Sequence, residues 1–133
     1  MLSRTDQRYQ IIIDQVETIA RRQSGEQLHI GFLCRSCGVT ERMLRNAFRS
    51  ICGATPYRYL RQRRMRDAHE ALLHASGTVT VTAVATQFGF MELGRFSVEY
   101  RSAFGERPSE TLRRSLGGAG YRPATAGNVH VAA

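Results

Sequence analysis

Lysine is absent from this sequence, so all 19 basic side chains are arginines, and only 11 acidic side chains oppose them. The formal net charge is +8. An arginine excess can reflect genomic base composition, but a small basic protein is attracted to polyanions whatever the origin. Guanidinium groups bind phosphate and guanine in bidentate fashion. The charge therefore favours a nucleic-acid partner over an anionic membrane.

Long apolar runs and a disulfide framework are also missing. No stretch approaches the roughly 18 apolar residues of a membrane span, and the N-terminus lacks the apolar region of a signal peptide. The three cysteines are an odd number without framework spacing, which indicates a reducing compartment. We therefore expect a cytoplasmic protein with no membrane partner.

Apolar residues at steps of three and four, separated by Gly and Pro, predict an all-α fold of about seven helices. The predicted helices cover residues 6–22, 30–37, 40–52, 56–73, a segment after Thr80, 92–104 and a segment after Pro108. Thr40, Thr55 and Thr80 are expected to be N-caps. The Gly/Ala-rich residues 117–133 are predicted to form a disordered tail.

An internal repeat, offset by about 50 residues, organises these helices. Leu33, Cys34 and Gly38 align with Val84, Ala85 and Gly89; after one extra residue, Leu44, Phe48, Arg49, Ser50, Gly53 and Pro56 align with Phe96, Tyr100, Arg101, Ser102, Gly105 and Pro108. The segment "TVTVTAVA" alternates like a strand. Because it occupies the place of a helix in the repeat, we predict a helix there.

Cys34 and Cys37 form a C-x-x-C pair that could suggest a metal or redox site. The repeat aligns them with Ala85 and Phe88, which cannot bind a metal. Structural zinc also requires four ligands, and no second pair with suitable spacing is present. We therefore interpret both cysteines as small apolar residues, and expect neither a metal nor another cofactor.

Each repeat consists of a short helix, a glycine turn and a longer helix, which is the helix-turn-helix plan. The exposed face of the first longer helix carries Arg42, Arg45 and Asn46, whose side chains can bond to guanine and adenine edges. Arg49 lies further along, where a phosphate contact is more natural. Thr40 and Thr80, at helix starts, are also expected to contact the DNA backbone.

The chain resembles the DNA-binding domain of the AraC/XylS family of bacterial transcription regulators. The resemblance rests on "VTVTAVATQFGFMELGRFSVEYRSAFGERPSE", on the linker pattern "YLRQRRMRDAHEALL" and on "GVTERMLRNAFRSICGATP". It implies that Gly94, Arg95 and Val98 of the second recognition helix contact bases, with Arg101 on the backbone. Many family members carry Ser where Gly94 stands and Arg where Val98 stands, so this helix has less capacity for hydrogen-bonded readout.

The predicted organisation is a first helix-turn-helix subdomain (5–54), a linker helix (55–75), a second helix-turn-helix subdomain (76–116) and the tail. We expect a sequence-specific regulator that binds double-stranded DNA and is not an enzyme. Its recognition helices (40–52 and 92–104) would enter successive major-groove segments. The resemblance further implies a bacterial, nucleoid-associated protein that contacts RNA polymerase. The protein is then either a stand-alone regulator or the fragment of a longer chain with an effector or dimerisation domain ahead of this one. The alternatives are non-specific nucleic-acid binding and a partner-binding module with a degenerate second recognition helix.

Overall fold

The structure, a computed structural model, describes residues 2–117, which form α-helices and no strands. The helices are α1 (Arg4–Arg22), α2 (Ile30–Cys37), α3 (Glu41–Cys52), α4 (Pro56–Leu73), α5 (Val81–Gln87), α6 (Leu93–Phe104) and α7 (Pro108–Ser115). The predicted all-α fold of about seven helices is confirmed. Residues 118–133 of the predicted tail lie outside the described part. None of the described helices is long and apolar enough to cross a membrane.

The helix starts are set by local capping. α1 begins at Arg4, two residues before its predicted start, because Ser3 and Asp6 form a capping box. In this box the Asp6 N–H donates to Ser3 Oγ at 3.0 Å, and the Ser3 N–H donates to the Asp6 carboxylate at 3.4 Å. The pairing satisfies two backbone donors that a helix N-terminus otherwise leaves without partners.

The Thr-Val alternation forms helix α5, as the repeat predicts. Thr80 Oγ1 accepts a hydrogen bond from the Ala83 N–H at 3.1 Å and caps the helix. Val81, Val84 and Ala85 are buried, at the three- and four-residue spacing of a helix face. Burial of this face overrides the strand preference of β-branched residues, because propensity is a weak effect beside tertiary packing.

The chain divides into two compact units with the boundary between Arg63 and Arg64. The described residues of the first unit are 2–63, and those of the second unit are 64–117. The core of the first unit contains Ile12, Ile13, Val16, Ala20, Leu33, Cys34, Leu44, Ala47, Phe48 and Leu60. The core of the second unit contains Met65, Ala68, Leu72, Val81, Val84, Ala85, Phe90, Phe96, Tyr100 and Leu112. Helix α4 thus supplies apolar side chains to both cores.

The aligned positions of the repeat play equivalent roles in the two units. Gly38 and Gly89 have φ angles of 67° and 85°, in the left-handed region that favours glycine. Gly53 and Gly105, at 70° and 77°, end the two recognition helices in the same way. Each recognition helix is therefore preceded and followed by a glycine with a positive φ angle.

A chain of polar side chains crosses the core of the second unit. The buried Tyr100 hydroxyl donates to Thr111 Oγ1 at 2.7 Å, and Thr111 donates to the Glu106 carboxylate. Arg114 binds Glu106 through both terminal nitrogens, at 2.6 and 2.9 Å. His69 Nδ1 lies 2.8 Å from the Tyr100 hydroxyl. Because the tyrosine hydrogen is directed to Thr111, His69 donates at this contact, and the chain links helices α4, α6 and α7.

Replacing Tyr100 by phenylalanine tests this chain, because it removes the hydroxyl and keeps the ring. Burial raises the pKa of Tyr100 to about 12, so its phenol is protonated and able to donate at neutral pH. We expect Tyr100→Phe to lower the free energy of unfolding by about 0.5–1.5 kcal/mol, measured by urea denaturation. Tyr57→Phe is the matched control, since Tyr57 is exposed. Equal losses in the two variants would contradict a structural role for the buried hydroxyl.

The Glu106 carboxylate predicts a dependence of stability on acid pH. The Arg114 guanidinium, and then the Thr111 hydroxyl, hold the pKa of Glu106 below its ordinary value of 4.5. A lowered pKa in the folded state stabilises the fold above pH 4.5, and this stabilisation disappears as pH falls through the folded-state pKa. We expect Glu106→Gln to melt at a lower temperature than the wild type at pH 7. The two melting temperatures should converge as the pH falls through the folded-state pKa of Glu106. A constant difference at every pH would exclude the ion pair as the cause.

Candidate nucleic-acid interface

The first recognition helix, α3, is fixed by its cap and by its buried side. Thr40 Oγ1 accepts a hydrogen bond from the Met43 N–H at 3.1 Å, so the helix begins at Glu41. Leu44, Ala47 and Phe48 are buried in the first unit. These contacts determine which side of the helix remains accessible to a partner.

The accessible side of α3 carries the predicted base-contacting residues. Arg42, Arg45 and Arg49 are exposed, and Asn46 is half-buried. Their spacing of three and four residues places them on neighbouring turns of one helix face. The structure therefore brings these four side chains together on one accessible surface, hereafter the α3 face. Arginine and asparagine are the side chains that bond in bidentate fashion to guanine and adenine, respectively, in the major groove.

The arginines of the α3 face differ in what they contact. Arg45 forms an ion pair with Glu41, with its Nη2 2.7 Å from the carboxylate oxygen. Arg42 and Arg49 have no hydrogen bond or ion pair from their guanidinium groups to any residue between 2 and 117. An exposed pair of this spacing contributes only about 0.3–0.5 kcal/mol. Arg45 can therefore exchange Glu41 for a ligand at small cost, whereas Arg42 can bind one directly.

The second recognition helix, α6, begins one residue later than its predicted start. Glu92 is the N-cap residue and Leu93 the first helical residue, and the Glu92 side chain makes no capping hydrogen bond. Phe96, Ser97 and Tyr100 are buried. The helix is therefore held mainly through its packing against the core.

The accessible side of α6 is less polar than the α3 face. Gly94, Arg95 and Val98 are all exposed, and Val98 exposes 70% of its surface. Arg95 forms an ion pair with Glu99, with Nε 3.0 Å from the carboxylate. Arg101 is exposed further along, in the last turn of the helix. The structure places the three predicted base-contacting residues together, but only one of them carries hydrogen-bond donors on its side chain.

The two threonines expected to contact the DNA backbone lie at different kinds of helix start. Thr40 caps the recognition helix of the first unit, whereas Thr80 caps α5, which precedes the recognition helix of the second unit. Both hydroxyl oxygens accept a backbone N–H at 3.1 Å. A capping hydroxyl keeps its own hydrogen, so each can still donate to a phosphate oxygen.

Sequence reasoning missed the Glu41–Arg45 and Arg95–Glu99 ion pairs, although the four-residue spacing of opposite charges is a signal for both. It also missed Met91, which precedes α6 and exposes 58% of its surface. No periodic signal applies to this residue, because it lies outside the helix.

The C-x-x-C cysteines lie in the packing of α2. Cys34 is buried in the core of the first unit, and the half-buried Cys37 packs against that core. Burial raises the pKa of both thiols, which disfavours the thiolate that binds metals and reacts with disulfides. Within residues 2–117, no group of three or more His, Cys, Asp or Glu side chains is arranged to hold a metal ion.

Comparison with known proteins connects this geometry to a family. Residues 33–114 match the family described as "Helix-turn-helix domain". A "XylDLEGF operon transcriptional activator" of Pseudomonas putida is 43% identical over 77 residues, which is 57% of this chain and 24% of that protein. A "Probable thc operon regulatory protein" of Rhodococcus erythropolis is 36% identical over 104 residues, covering 77% of this chain and 30% of that protein. The chain thus spans about a quarter to a third of the length of these curated relatives.

Solved structures agree with these matches. The crystal structure of a probable AraC family transcriptional regulator from Rhodopseudomonas palustris is 34% identical, with a TM-score of 0.69 over 79% of this chain and 97% of that one. A regulator with an AraC-type DNA-binding domain from Chromobacterium violaceum shares the fold, with a TM-score of 0.70 at 22% identity. These matches assign the chain to the class of helix-turn-helix transcription regulators. Within it, this chain belongs to the AraC family, as its sequence motifs indicated.

Proposed function

We propose that this protein regulates transcription by binding a specific double-stranded DNA sequence through both recognition helices, α3 and α6. The observation that carries the proposal is the α3 face. Three exposed arginines and an asparagine lie together on the accessible side of a helix whose other side is fixed in a core. The net charge of +8 adds a general attraction to the phosphate backbone.

The proposed roles follow from side-chain chemistry and position. Arg42, Arg45 and Asn46 contact bases, because they occupy the first two turns of α3, and the N-terminal part of a recognition helix enters the major groove. Arg49 contacts the DNA backbone from the last turn. Thr40 contacts the backbone from the cap, where the positive end of the helix dipole adds to the attraction for phosphate.

The proposed second contact uses α6 in an adjacent segment of the major groove. Gly94, Arg95 and Val98 face the bases, and Arg101 and Thr80 contact the backbone. Arg95 must first release Glu99, which costs little because the pair is exposed. The expected site is asymmetric, with two parts about ten base pairs apart, because successive major-groove segments are separated by one helical turn.

The proposed effect on transcription is activation through contact with RNA polymerase in the bacterial cytoplasm. The Pseudomonas putida relative is named a transcriptional activator. Because the chain spans a fraction of that relative's length, we also propose that an effector or dimerisation domain, in this polypeptide or another, controls its activity. These proposals go beyond DNA binding, and the proposed DNA binding does not depend on them.

A binding selection from random duplex DNA, analysed by sequencing, tests the proposed function. A two-part motif with centres about ten base pairs apart is the expected result. Enrichment without any motif, together with affinity that depends steeply on salt, would identify non-specific nucleic-acid binding instead. No enrichment would leave the partner-binding module as the better description. A motif in one part only would restrict specific recognition to a single unit.

A further inference from the structure

Gly94 lies in the first turn of α6, where glycine destabilises a helix by roughly 1 kcal/mol relative to alanine. Its backbone does not adopt a positive φ angle. Apart from its two chain neighbours and the backbone of its own helix, a Cβ atom built at this position meets no described atom within 4 Å. Neither the backbone conformation nor the packing of the described residues therefore requires glycine here. Glycine does permit a partner to approach the backbone more closely than any other residue allows.

Val98 lies one helical turn beyond Gly94, on the same face of α6. Its side chain is 70% exposed and carries only two methyl groups. Gly94 and Val98, hereafter the apolar strip, present bare backbone and methyl groups where a recognition helix ordinarily presents hydrogen-bonding side chains.

The side chains of α6 also offer few hydrogen-bond donors for base readout. Arg95 carries the only side-chain donors among the predicted base-contacting residues of α6, and it is paired with Glu99 one turn toward the C-terminus. Guanine and adenine expose acceptors in the major groove that require donors from the protein. Thymine differs from the other bases because it exposes a C5-methyl group there. The chemistry of the apolar strip therefore matches thymine better than any other base.

We propose that the second unit recognises thymine through its C5-methyl group. Val98 contacts the methyl group, and Gly94 allows the backbone of α6 to come close to the base edges. This inference rests on the proposed function, since it requires α6 to enter the major groove. It assigns different chemistry to the two units: hydrogen bonding by the α3 face and apolar contact by the apolar strip.

Deoxyuridine substitution tests the inference directly, because deoxyuridine differs from thymidine by the methyl group alone. In the selected duplex, each thymidine of the second half-site is replaced singly. We expect at least one replacement to weaken binding of the wild-type protein about fourfold, the loss associated with one buried methyl-sized group. Replacement in the flanking DNA should have no effect. If the protein still prefers this half-site over other sequences, but no replacement of a thymidine in it weakens binding, the inference is wrong.

The Val98→Ala variant closes a double-mutant cycle with the same DNA change. We expect the fourfold penalty to fall below about twofold in this variant, because the methyl group has lost its partner. Ile11→Ala is the matched control, since Ile11 is an exposed aliphatic residue on α1. This control should retain the full penalty. If Val98→Ala retains it as well, the contact is not made by Val98 and the assignment is wrong.

Gly94→Ala tests the close approach of the backbone. The variant should fold with an unchanged or raised melting temperature, because the added methyl group meets no described atom within 4 Å apart from its chain neighbours and the backbone of its own helix. We expect it to bind the selected duplex about tenfold more weakly, as an overpacked contact does. Unchanged affinity would show that the backbone does not approach the bases.

The selection separates failure of this inference from failure of the proposed function. If no motif is recovered, the proposed function and the inference are both wrong. If the two-part motif is recovered and deoxyuridine is silent in its second half, only the inference is wrong. Recovery of the first half alone likewise overturns the inference and leaves base recognition by the α3 face intact.

Discussion

Phe96→Ala is expected to lower the free energy of unfolding of the second unit by about 3–5 kcal/mol. Phe96 is fully buried, and its ring centroid lies 4.8 Å from that of Phe90 and 5.7 Å from that of Tyr100. Removing the ring therefore loses burial and leaves a cavity between aromatic side chains that are themselves fixed. Small domains are stable by about 5–15 kcal/mol, so this loss is a large fraction of the total.

Urea denaturation followed by circular dichroism measures the effect, and Phe48→Ala is the matched variant. Phe48 aligns with Tyr100 in the repeat and is fully buried in the core of the first unit. We expect the two alanine variants to destabilise different units, so NMR spectra should lose dispersion for different sets of residues. Phe32→Ala, at a partly exposed position, should cost less than about 1 kcal/mol. Comparable losses at Phe32 and Phe96 would contradict the assignment of Phe96 to a packed core.

Arg42→Ala is expected to weaken binding to the selected duplex by about 1–3 kcal/mol, or roughly five- to 150-fold. Arg42 is exposed, and its guanidinium group has no partner among residues 2–117. It can therefore bond to guanine without breaking an existing interaction, unlike Arg45 or Arg95. The lost affinity should come from one base pair. At that position the variant should no longer distinguish between bases, so it should bind about equally well to duplexes that differ only there.

A panel of duplexes, each changed at one base pair and measured at several salt concentrations, separates base contact from backbone contact. Arg101→Ala should weaken binding to all duplexes alike and lower the salt dependence by about one unit. Arg21→Ala, an exposed arginine in the last turn of α1, controls for the general loss of charge. If Arg42→Ala also weakens every duplex equally, the base contact is wrongly assigned and Arg42 binds phosphate.

Much of the fold was predictable because its signals are local. The bounds of α2 and α4 agree with prediction, since Gly38 ends one helix and Thr55 with Pro56 begins the other. The Thr55 hydroxyl accepts a hydrogen bond from the Arg58 N–H at 3.2 Å, three residues along the chain. The internal repeat corrected the one segment whose local preference pointed to a strand. Capping, glycine turns and apolar spacing act over a few residues, so the sequence displays them directly.

The composition of the candidate interface was predictable for the same reason. Helical spacing alone places Arg42, Arg45 and Asn46 on one face, whereas Gly94, Arg95 and Val98 were assigned from the resemblance to the AraC/XylS family. Their exposure follows from the burial of the opposite helix faces. Their contacts with DNA remain predictions, which the experiments above test.

For residues 2–117, the sequence by itself determined the seven helices, the two helix-turn-helix repeats and the residues of each accessible helix face, because caps, glycine turns, apolar spacing and the internal repeat are all visible in it. Tertiary structure decided which arginines are paired and which are unengaged. It also decided that Tyr100 joins His69 and Thr111, which lie 31 and 11 residues away from it. The arginine pairs have a local signal in their four-residue spacing but depend on rotamers. The contacts of Tyr100 depend on the meeting of distant segments, and no local pattern encodes them. The open space around Gly94 was likewise decided by the tertiary structure, because only the packing shows that the described residues do not require glycine there.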